Sequence, residues 1–107
     1  MIYELRIYHI HPGKMSAIHQ RFESHTLALF KKHGMDVMDF WEDITENRIY
    51  YTMEHPDLES RNQRFSAFIK DPEWIRVKEE SEKNGAIVEK VESFIMNRVP
   101  YSPLYRG

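Results

Sequence analysis

Tyr3-Glu4-Leu5-Arg6-Ile7-Tyr8, then Pro12-Gly13-Lys14, then an amphipathic run ending at His33-Gly34, is the stretch whose reading decides the fold. Residues 2–10 alternate in polarity and are rich in β-branched and aromatic types, which predicts a strand. Tyr3, Leu5 and Ile7 fall on one face; Ile2, Glu4, Arg6 and Tyr8 fall on the other. The apolar trio is the natural choice to lie under a helix. Pro12-Gly13 ends the strand.

A helix follows from about Lys14 to His33. With Phe22 at the centre of its wheel, Met15, Ile18, Thr26, Leu29 and His33 lie within ~40° at 100° per residue. His19 and His25 flank that stripe on opposite sides, while Leu27 and Phe30 fall well off it. Gly13 is a tolerable N-cap. Lys31, Lys32 and His33 suit the negative pole of the helix end, and Gly34 suits the left-handed position beyond it.

Residues 35–42 alternate imperfectly and predict a second strand, with Val37, Asp39 and Trp41 opposite Met38 and Phe40. A polar turn over 43–47 leads to a third strand over 48–55. There Ile49, Tyr51 and Met53 share one face, and Tyr50, Thr52 and Glu54 the other. The short connection makes these two strands a hairpin. Pro56-Asp57 opens a second helix with a stripe of Leu58, Asn62, Phe65 and Ile69. Asp71-Pro72-Glu73 restarts helical structure, with Asp71 as N-cap and Pro72 in the first turn. Trp74, Val77 and Ser81 face inward, and Asn84-Gly85 ends the segment. Residues 86–98 are the last strand. The order βαββαβ, with its second helix broken in two, predicts an α+β fold of the ferredoxin-like type. Its antiparallel sheet has strand order 4-1-3-2 and helices on one face.

Composition narrows the function classes. Fifteen Lys and Arg against seventeen Asp and Glu leave a net charge of -2 with no basic stripe, so nucleic acid is not an expected partner. No apolar run approaches the ~20 residues of a membrane span. Nothing near Met1 resembles a secretion signal. The chain lacks cysteine, which excludes disulfides and thiolate metal sites and suits the cytoplasm.

The uncovered face of the sheet is too apolar for water. It is expected to carry Tyr8, Tyr50 or Tyr51, Phe40 or Trp41, and Phe94 with Met96 or Ile95. Such a sheet needs a second cover, and two-fold packing of two sheets supplies one. A homodimer is therefore expected, with Glu4 and Arg6 as a charged fastener at the subunit junction.

Several motifs together extend this reading. Tyr3 to Tyr8, Pro12-Gly13-Lys14, His33-Gly34, Phe40-Trp41, Asp71-Pro72-Glu73-Trp74 and the tail Ser102-Pro103-Leu104 resemble the NIPSNAP family over essentially the whole chain. The resemblance implies one domain spanning 1–107 and a dimeric α/β barrel. Relatives of that barrel include cofactor-independent monooxygenases, isomerases and haem-degrading enzymes, whereas the NIPSNAP branch is mostly without an assigned reaction.

The candidate chemistry is modest. Glu4 with Arg6 could form an acid/base carboxylate steered by a guanidinium, or the structural fastener named above. His25, beside Phe22 and Leu29, could act as a base, assisted by Tyr51 or Arg6. Phe22, His25, Trp41, Tyr51, Phe65 and Trp74 could wall a pocket for a small apolar ligand, or simply be core. His9 and His11 form a His-x-His pair. His55 is too far along the neighbouring strand to complete a metal site with them, so none is expected. No Gly-rich phosphate loop or serine elbow is present, and no cofactor is expected. A homodimer that binds a small apolar molecule or a partner is the main expectation. A cofactor-independent monooxygenase or isomerase is the alternative.

Overall fold

A computed structural model describes residues 1–106. The strands are β1 (Ile2–Ile10), β2 (Asp36–Glu42), β3 (Arg48–His55) and β4 (Val88–Met96). They form one antiparallel sheet in the order β2-β3-β1-β4, the order expected from the sequence. The helices are α1 (Met15–Arg21), α2 (Leu27–Lys32), α3 (Leu58–Lys70) and α4 (Pro72–Ser81). They pack on one face of the sheet, over an aromatic core that includes Phe22, Phe30, Tyr51, Phe65 and Phe68. None of these helices is long and apolar enough to cross a membrane.

The helix starts follow local chemistry. Asp57 accepts a hydrogen bond from the Ser60 N–H at 2.7 Å, and Asp71 from the Glu73 N–H at 2.9 Å, with Pro72 in the first turn. Asp71 also receives Lys32 at 2.8 Å and His33 at 2.7 Å, so it ties the end of α2 to the start of α4. Gly34, with φ +74°, supplies the left-handed residue after the His33 C-cap.

Three expectations are corrected. First, β1 faces the other way. Its register pairs Glu4 with Met53, Arg6 with Tyr51 and Tyr8 with Ile49, which puts Glu4, Arg6 and Tyr8 under the helices. Tyr3, Leu5 and Ile7 lie on the open face. Glu4 and Arg6 are therefore an internal feature of the protomer, not a fastener at the open face. The charged side can be buried because other elements supply its partners.

Second, Phe30 is buried at 1% exposure, while Leu27 is 39% exposed. Between α1 and α2 the rod passes through a π-helical turn, Phe22–Thr26. The Leu27 N–H reaches back to the Phe22 carbonyl, and the Thr26 hydroxyl donates to the Arg21 carbonyl at 3.2 Å. The wider turn rotates less per residue and sets back the phase of everything after it, which brings Phe30 inward. In the regular α3, Phe68 joins Phe65 in the core, while Leu58 and Ile69 are exposed.

Third, a β-bulge between Val37 and Asp39 breaks the alternation of β2. Val37 and Phe40 share the helix side with Met53 and Tyr51, and Trp41 pairs with Tyr50 on the open face.

Candidate functional site

Beneath the helices, one carboxylate gathers most of the polar chemistry. Glu4 is fully buried and accepts five hydrogen bonds. They come from His55 Nε2 at 3.0 Å, Arg61 Nε at 3.0 Å, Arg61 Nη2 at 2.7 Å, Arg6 Nη1 at 3.0 Å and Ser93 Oγ at 2.6 Å. Burial alone would push this carboxyl up. The bonds from Arg61, Ser93 and Arg6, with the Arg6 charge, outweigh it and hold the group down at about 2. A carboxylate so low and so fully engaged is a poor proton acceptor at neutral pH. Burial pushes His55 down, against the pull of Glu4, so its neutral form donates through Nε2. Its Nδ1 is left as a buried acceptor without a partner.

A second branch runs from Arg6. Its Nε donates to the Tyr51 hydroxyl at 2.7 Å, and Tyr51 donates to Tyr8 at 2.9 Å. Burial and the neighbouring Tyr8 push the Tyr51 phenol well above its ordinary value, and Arg6 offsets this only in part. Tyr51 therefore stays a neutral donor. The Arg6 guanidinium also lies 4.7 Å from the Phe65 ring centroid, and that of Arg61 lies 4.5 Å from the same ring.

The sequence candidates do not converge on one pocket. Arg6, Tyr51, Phe22 and Phe65 do meet: Phe22 and Tyr51 have ring centroids 5.4 Å apart. His25 does not join them. It is exposed on the π turn and lines a groove between α1 and α4. Trp74 packs on Phe68 at 4.7 Å and under the Arg21 guanidinium at 5.3 Å. Trp41 lies at the other flank. There, with Phe22, Leu27, Phe40 and Ile49, it lines a trough of about 210 Å³ along the edge of the sheet. The His19–Glu42 pair closes the rim of this trough. His9 pairs with Glu92 at 2.7 Å. No group of three or more metal-ligating side chains is assembled among the described residues.

Sequence reasoning missed His55, Arg61 and Ser93 as partners of Glu4, and Arg21 as a buried cation. Antiparallel register was the available signal for His55, which pairs with Ile2 one pleat beyond Glu4. Nothing in the local pattern of α3 marks Arg61.

The NIPSNAP family model matches residues 3–103. The chain belongs to the NIPSNAP family. No curated protein matches it. A NIPSNAP family protein with unknown function from Agrobacterium tumefaciens is similar to this chain at 23% identity. That alignment covers 98% of this chain and 94% of the other, with a TM-score of 0.84. A NIPSNAP-like domain protein from Burkholderia xenovorans aligns at 23% identity over 95% of this chain and 88% of its own, with a TM-score of 0.82. A more distant likeness joins the NIPSNAP fold to a putative antibiotic biosynthesis monooxygenase from Nitrosomonas europaea. Identity is 11%, coverage 98% and 100%, and the TM-score 0.60. These structural likenesses speak to the fold alone.

Proposed function

We propose that this NIPSNAP protein acts as a homodimer and that each protomer binds a small apolar molecule in the trough between its first helical rod and β2. The trough carries the reading. Phe22, Leu27, Phe40, Trp41 and Ile49 wall it with apolar surface, and its polar lining is Glu23 with the paired His19 and Glu42. Few polar groups in an apolar cleft suit recognition by shape. Its volume of about 210 Å³ limits the ligand to a small one.

Dimer formation is supported by the open face of the sheet. Trp41, Phe94 and Met96 are exposed there, beside the half-buried Tyr3, Leu5 and Ile7. Strand β4 is bare on both faces, because Val91 and Ile95 are also exposed on the helix side.

The alternative is a cofactor-independent monooxygenase or isomerase. It is supported by the Arg6–Tyr51–Tyr8 chain of hydrogen bonds and by the fold shared with the Nitrosomonas protein. Against it, Glu4 is fully engaged as an acceptor, and His25 lies outside the network. The binding reading is therefore preferred.

Methyl NMR tests it. Toluene is titrated into protein labelled at the Leu27 and Ile49 methyl groups. Saturable shifts confined to those methyls, with the Ile49 shift lost in the trough-filling variant Leu27→Trp, are the expected result. Absence of any saturable shift sinks the binding reading.

A further inference from the structure

A second cavity lies on the opposite flank of the same helical rod. The groove between α1 and α4 has a volume of about 350 Å³. Ala17 and Val77 form apolar walls, and Arg21, His25, Arg76 and Lys83 surround them. The lining holds three permanent cations, Arg21, Arg76 and Lys83, against one carboxylate, Glu80. That local excess of positive charge stands out on a chain whose net charge is -2.

Arg21 is the unusual member. Its side chain is 5% exposed, yet its charge is poorly matched. Nη1 donates to Ser81 Oγ at 3.2 Å and approaches Glu82 at 3.5 Å. Glu82 is itself shared with Lys78 at 3.0 Å. Arg21 Nε is buried with no acceptor. A buried guanidinium normally fills its donors, because each one left unmet carries a desolvation penalty. Burial pushes the guanidinium below its ordinary value, and Tyr8 and Glu82 offset this only in part.

The rest of the packing explains how the cation is held but not what it is for. The Trp74 ring lies 5.3 Å from the guanidinium and supports one side of it. Glu80 is engaged with Arg76 at 3.7 Å on the exposed rim and makes no hydrogen bond to Arg21.

We infer that this groove is a binding site for a small organic monocarboxylate, with Arg21 holding the carboxylate and Ala17 and Val77 receiving the apolar body. The planar guanidinium suits a carboxylate, which it can engage with two parallel hydrogen bonds. Arg76 and Lys83 at the rim raise the local concentration of anions and hasten their arrival. The site is separate from the apolar trough, which uses His19, Phe22 and Leu27 on the other flank of the rod.

The test is a titration of the full chain with benzoate, followed by NMR at the Arg21 Nε–H and the Val77 amide. Saturable shifts at both are expected. Arg21→Gln is expected to weaken benzoate about tenfold, the loss that one charge-assisted hydrogen bond carries. Should that variant fail to fold, the rim double variant R76Q/K83Q serves in its place, because both side chains are exposed. It is expected to weaken binding about threefold and to flatten its salt dependence. Three results overturn the inference: no saturable shift with benzoate up to about 10 mM, unchanged affinity in the variants, or equal shifts with inorganic phosphate.

Discussion

Arg61 grips Glu4 with two parallel bonds, Nε to Oε1 at 3.0 Å and Nη2 to Oε2 at 2.7 Å, and so joins α3 to the middle of the sheet. This bidentate pair, reinforced by Arg6, Ser93 and His55, is the polar anchor of the helical layer. Glu4→Gln keeps the shape and removes the charge, leaving Arg6 and Arg61 without their counter-ion. Breaking a buried pair from one side costs roughly 3–5 kcal/mol. Arg61 retains about a fifth of its side-chain exposure, which argues for the lower end. Urea unfolding of the variant is expected to show a loss of about 3 kcal/mol. A loss below about 1 kcal/mol would show that the network is not an anchor.

The same carboxylate sets an acid limit. Glu4 sits at about 2 in the fold against 4.5 when unperturbed. For an acid whose folded value is depressed, the unfolded chain binds the proton first. The stabilisation is therefore full above about 4.5 and is lost as pH falls towards 2. His55, also depressed, adds to the slope from its ordinary value of 6.5 downward, because the unfolded chain takes up that proton more readily. Unfolding free energy measured from pH 7 to pH 2 is expected to fall more steeply in the wild type than in Glu4→Gln. Parallel profiles would refute the assignment.

The π turn makes a sharper prediction about two apolar residues that look alike on a helical wheel. Phe30→Ala removes a buried ring that packs on Phe68 at 4.9 Å and is expected to cost about 3–5 kcal/mol. Leu27→Ala removes an exposed side chain and is expected to cost less than about 1 kcal/mol. Denaturant midpoints of the two variants check this directly. Similar losses would mean that the rod is regular through Phe22–Thr26.

The contrast shows what sequence pattern can and cannot carry. The hairpin and the Asp71-Pro72 restart were legible because each depends on neighbours a few residues away, and the strand order because the βαββαβ sequence of elements has few ways to close into one antiparallel sheet. The facing of β1 was not, since Tyr3, Leu5 and Ile7 look more like core than Glu4, Arg6 and Tyr8. What reverses that choice is Arg61, His55 and Ser93, which come from α3, β3 and β4. Phe30 was misplaced because a single wide turn shifts the phase by one residue, and wheels assume a constant period. His25 was correctly placed beside the stripe, yet the π turn carries it to the α1–α4 groove, away from Tyr51.

The open face of the sheet carries the last prediction. Phe94 pairs with Leu5 across β4 and β1, and both point away from the helices. Phe94 is 45% exposed in the protomer, and Met96 and Trp41 are exposed on the same face. A face this apolar gains from association, at roughly 25 cal/mol for each Å² of apolar surface withdrawn from water. A glutamate there would keep its charge in the protomer but would have to lose its water in the pair. Phe94→Glu is thus expected to turn a dimer of twice 13.0 kDa into a 13.0 kDa species in sedimentation equilibrium, with far-UV circular dichroism unchanged. The wild type sedimenting as a monomer at micromolar concentration would remove the argument. A dimer that persists in the variant would place the interface on another surface.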